Sequence, residues 1–73
     1  MSSLRVWTIY DHPLDYPSYF VVRGFTVTAG APVPDGEVQL ANTLLEARML
    51  IPPGLHPIDR SPDDDRFIVE SWL

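Results

Sequence analysis

Three apolar runs set the frame of the chain. Leu4 to Tyr10 (LRVWTIY) is rich in β-branched and aromatic residues, holds no Gly or Pro, and predicts a strand. Tyr19 to Thr28 (YFVVRGFTVT) predicts a second and longest strand, and Phe67 to Leu73 (FIVESWL) the last. Between the first two runs, Asp11, Pro13, Asp15 and Pro17 mark a loop. The first two strands therefore form an antiparallel hairpin with a long connection. Residues 29–36 read as another loop, ending in the Asp35-Gly36 turn signal, and Glu37 to Leu40 alternates as a short edge strand.

One segment carries a helical signature. Thr43, followed three residues later by Glu46, fits a capping box, with Asn42 as the rival cap. Leu44, Ala47, Leu50 and Ile51 share one face at helical spacing, which predicts a helix over residues 43–51. Pro52-Pro53-Gly54 ends it, because proline cannot continue the hydrogen-bond ladder. So short a helix is marginal alone and must dock. Leu55 to Arg66 reads as a polar connection pinned by Leu55 and Ile58. The order is β-β-α-β. The expected fold is one α+β domain over residues 1–73, a three-stranded, mainly antiparallel sheet with one helix on one face. A right-handed crossover makes the last strand parallel to the second. Strand order 2-1-3 then sets the last strand antiparallel to the first.

Side chains alternate across a strand, so the strands can be sorted by face. One face is uncharged: Val6, Thr8 and Tyr10, then Phe20, Val22, Gly24 and Thr26, then Phe67, Val69 and Ser71. The helix is assigned to it, with Gly24 allowing close approach. The other face gathers Arg5, Trp7 and Ile9, then Tyr19, Val21, Arg23, Phe25 and Val27, then Ile68, Glu70 and Trp72. One helix cannot cover both sides of the sheet. The second face is therefore expected to be partly open, as an interaction surface carried by Trp7, Arg23, Phe25, Glu70 and Trp72. Arg23 and Glu70 are expected to pair across strands. The alternative is that loops 29–36 or 52–66 fold over this face, or that the Arg and Glu stems cover a Trp7–Trp72 stack.

Composition narrows the function classes. With no cysteine among 73 residues there is no disulfide, thiolate ligand or thiol nucleophile. A domain of this size buries only about 60% of its unfolded surface, so self-association or unusually good internal fit is the remaining support. The 45% apolar and 21% charged content is that of a globular chain. The eight prolines, placed outside the three apolar runs, read as loop stiffening. Five arginines, no lysine and ten carboxylates give a net charge of −5, which argues against a nucleic-acid partner. The start of the chain lacks a basic segment followed by an apolar stretch, and no apolar run approaches the ~18 residues of a membrane span. A cytoplasmic location without membrane contact is expected.

The richest polar cluster is Asp11, His12 and Asp15, which offer carboxylates and an imidazole to a metal, or a base near neutral pH. Their spacing matches no metal motif. Turn chemistry explains them more simply, with Asp side chains bonding nearby amides and Pro fixing φ. Asp63-Asp64-Asp65 lacks the pattern and terminal Glu of a calcium loop and reads as a solvated turn. No phosphate loop, G-x-S-x-G or H-E-x-x-H is present. No cofactor and no catalytic residue are assigned.

Three stretches resemble a known family. They are Trp7-Thr8-Ile9-Tyr10-Asp11-His12-Pro13 with Phe20-Val21-Val22-Arg23; Thr43 to Arg48 with Leu50 to Leu55; and Asp64-Asp65 with Ile68 to Leu73. Together they resemble a family of small uncharacterised bacterial proteins. The resemblance implies a bacterial, cytoplasmic setting and assigns no functional residue. The expected function is a small non-enzymatic module that self-associates, as a homodimer, or binds a protein partner through the aromatic sheet face. The alternative is a small metal-binding protein or enzyme using Asp11, His12 and Asp15.

Overall fold

A computed structural model describes residues 4–28, 30–59 and 65–73. The elements are β1 (Leu4–Asp11), β2 (Phe20–Thr28), β3 (Ala31–Ala41), α1 (Leu44–Met49), β4 (Pro57–Asp59) and β5 (Ile68–Trp72). They form a five-stranded sheet in the order β3-β2-β1-β5-β4, with every neighbouring pair antiparallel. The expected three-stranded sheet is thus corrected: the protein is mainly sheet, with a strand added at each edge. The last strand does lie antiparallel beside the first.

Residues 37–40 are the edge strand expected there, whereas the start of β3 and all of β4 lie in segments whose prolines argue for loop. Proline is tolerated on a sheet edge, where one row of amides has no ladder partner. Pro32 and Pro34 sit two apart on edge strand β3, and Pro57 opens edge strand β4. Asp35-Gly36 does bend the chain, but within β3 rather than before it. Arg23 is opposite Val38 while Phe25 is opposite Pro34, so three β3 residues face Gly24 alone. Gly36 takes the left-handed φ of 86° that this bulge needs.

The helix is shorter than the predicted 43–51 and is capped as expected. The Glu46 amide donates to Thr43 Oγ1 at 3.1 Å. The Glu46 carboxylate accepts from the Asn42 amide at 2.9 Å, one residue earlier than a capping box would have it. Ala47 is fully buried and Ile51 nearly so, whereas Leu50, the C-cap, stays exposed. No helix among the described residues is long and apolar enough to cross a membrane.

The core joins Trp7, Ile9, Val22, Ala41, Ala47 and Ile51, with Phe20, Leu44, Leu55, Val69 and Trp72 packed around it. The helix therefore covers the Trp7 face, not the Val6/Thr8/Tyr10 face. The reason is register. Each β1 residue is opposite a β2 residue of the other parity: Trp7 faces Gly24 and Ile9 faces Val22. Sorting even with even inverts β2 relative to β1, and a one-residue slip exchanges the faces of a whole strand. Between β1 and β5 the sorting holds at Trp7–Trp72 and Thr8–Ser71, then fails at Ile68, which a bulge brings opposite Tyr10.

Candidate functional site

The five residues expected on one interaction face divide between two. Trp7 is 6% exposed beneath the helix, with the Arg5 guanidinium 4.7 Å from its ring centroid. Trp72 pairs with Trp7 in register and packs against the same core. Its indole Nε1 is buried without a hydrogen-bond partner among the described residues. Glu70 shares this side. Arg23 and Phe25 lie on the opposite side of the sheet.

The expected Arg23–Glu70 pair is replaced by two others. Arg48, in the last turn of α1, grips Glu70 on β5 with both ends of its guanidinium, Nε to Oε1 at 2.8 Å and Nη2 to Oε2 at 3.3 Å. The carboxylate raises the Arg48 pKa further, through the hydrogen bond first and charge attraction second. This pair ties the helix to β5 and leaves Glu70 committed to structure. On the other side, Arg23 binds the Asp15 carboxylate and lies 5.0 Å from the Tyr10 ring centroid. Burial raises the Tyr10 phenol pKa, and the adjacent Arg23 charge partly opposes it.

The metal alternative meets the same obstacle. Asp15 is engaged by Arg23, and Asp11 Oδ1 is hydrogen-bonded to His12 Nδ1 at 2.5 Å. His12 takes a left-handed φ of 48°, and its ring meets the Phe20 ring edge-on at 4.9 Å. Its amide donates to the Tyr19 carbonyl, closing the loop at its base. Among the described residues, no three His, Asp or Glu side chains gather as metal ligands would. Asp65 accepts from the Phe67 amide at 2.9 Å, a turn contact, while Asp63 and Asp64 lie outside the described residues.

Among the described residues, no helix or strand packs over the sheet face opposite α1. Val6, Phe25, Val27 and Ile68 are half-buried there, around the nearly buried Thr8 and Tyr10. With Pro32 and Ser71 they line a shallow depression of about 380 Å³. Two of its three hydroxyl groups, Thr8 Oγ1 and Ser71 Oγ, lie 3.2 Å apart and bond each other, and the third is the Tyr10 phenol beside Arg23. The depression thus offers mainly apolar contact. At one end rise Arg23, Asp15 and Tyr10, with Pro13, Leu14 and Phe67 beside them. Leu14 is 79% exposed, more than any other large apolar residue described.

Val27 and Ile68, expected on the open face with Phe25, do line it, whereas Val6, Thr8 and Tyr10, expected under the helix, were missed. The parity of β1 relative to β2 was the signal needed, and it depends on the connecting loop. Comparison with protein-family models, curated proteins and solved structures finds no match to this chain.

Proposed function

We propose that this protein is a non-enzymatic interaction module that binds another protein surface through the sheet face opposite its helix. One observation carries this reading: a concave apolar patch built from Val6, Phe25, Val27 and Ile68 that no element of the described fold covers. Exposed apolar patches of this kind mark interaction sites in folded proteins. The sheet edges are poor rivals. β3 is broken by two prolines and a bulge and β4 is three residues long, both of which blunt edge-to-edge pairing.

An apolar reporter dye such as anilinonaphthalene sulfonate tests the face without a known partner. The dilute folded protein should bind it saturably, Phe25→Asp should abolish binding, and Leu45→Asp on the exposed flank of the helix should not. Absence of dye binding, or equal binding by Phe25→Asp, would contradict the proposal.

A further inference from the structure

We infer that the protein surface bound by this face is a second copy of the chain, the exposed Leu14 of each copy entering the apolar depression around Phe25 and Val27 of the other. The inference rests on the interaction-module reading above and adds the partner. Three observations favour this occupant.

The face supplies both a knob and a hole. Leu14 stands at the tip of the loop between β1 and β2, 79% exposed, at the end of the face marked by Tyr10 and Arg23. The depression of about 380 Å³ lies on the same face and has room for a leucine side chain. A two-fold interface applies the same patch on both partners, so one Leu14-to-depression contact is made twice.

Charge permits the match. At the Leu14 end of the face Arg23 is joined to Asp15, with the exposed carboxylate of Asp65 beside them. Set against its own image, the joined pair brings no like-charge excess into the interface, Asp65 adds one carboxylate per copy, and Arg23 of one copy can exchange its carboxylate for the other copy's Asp15. Thr8 and Ser71 satisfy each other, so the apolar centre loses no needed polar partner.

Area sets the strength. Five strands spaced by ~4.8 Å, 3 to 11 residues long, give a face of at most roughly 600 Å², with Thr8, Tyr10 and Val21 on it already buried. Two such faces reach at most about 1,200 Å² in total, the lower bound of a standard interface. The pairing is therefore reversible and concentration-dependent. Each copy also carries a net charge of −5, which repels the other at long range. Salt screens that repulsion, so added salt strengthens the dimer. A basic partner would show the opposite salt dependence.

Sedimentation of the full chain from about 10 µM to about 1 mM, at low salt and at roughly 0.5 M sodium chloride, tests this directly. The expected result is a rise from the 8.3 kDa monomer towards twice that mass, more complete at high salt. Leu14→Asp should weaken association about tenfold or more while leaving dye binding by the isolated chain intact. Val27→Lys should remove both, and serves if Phe25→Asp fails to fold. A wild-type chain that stays monomeric at about 1 mM in high salt yet binds dye overturns the second-copy inference and leaves the interaction face standing. A monomer that binds no dye overturns both. A dimer unmoved by Leu14→Asp and Val27→Lys overturns the proposed contact.

Discussion

Thr43 bonds the Glu46 amide, and Glu46 returns the contact to Asn42, so two otherwise unpaired amides at the start of α1 are satisfied by one short motif. The Thr43 contact follows from residue types and spacing alone and was legible in the sequence for that reason, while the return contact falls one residue earlier than expected. Thr43→Ala should cost roughly 0.5–2 kcal/mol, whereas Thr43→Ser keeps the oxygen and most of the stability. Urea unfolding of the two variants separates them; equal losses would mean that the hydroxyl is not the cap. Arg23 shows the opposite case. Its type announced an ion pair, but the partner depended on which face it occupied. The structure gives it Asp15, eight residues away in the preceding loop, and gives Glu70 to Arg48 on the helix. Single residues reveal the bond they seek; only register reveals with whom.

At the scale of elements, the hydrophobic runs were enough to place β1, β2, β5 and α1. The alternation of residues 37–40 placed only the end of β3; its start and β4 carry prolines, a loop signal that an edge position overrides. The Asp35-Gly36 pair was read as a turn signal, and Gly36 does take a positive φ, but a bulge and a turn make the same local demand. Gly36 can be tested in place. A Cβ added there meets nothing within 4 Å, so any cost comes from backbone conformation alone. Gly36→Ala should destabilise by about 1–2 kcal/mol through its left-handed φ, and Gly36→Asn by less, since Asn tolerates that region. A neutral Gly36→Ala in thermal unfolding would remove the bulge from the description of β3. The face assignments failed for two reasons: the loop between β1 and β2 sets the relative parity of those strands, which alternation alone does not, and a bulge shifts the β1–β5 register at Ile68. That loop turns so that odd residues meet even ones.

For the whole molecule, inverting one strand moved the candidate site without abolishing it. Among the described residues, a five-stranded sheet with one six-residue helix still leaves a side uncovered. The uncovered side is the one holding Phe25, Val27, Val6 and Ile68, while Trp7 closes the core beneath the helix. Among the described residues on this side, Arg23 is paired with Asp15 and Thr8 with Ser71, so the proposed recognition rests on shape and apolar contact. Hydroxyl-radical footprinting of the intact chain measures both sides at once. In dilute protein, Phe25, Val27 and Leu14 should label readily and Trp7 should stay protected. On concentration, Phe25, Val27 and Leu14 should lose labelling together while exposed Leu45 and Met49 on the helix do not change. Trp7 labelling as strongly as Phe25, or Phe25 protected at every concentration, would contradict the assignment of core and working face.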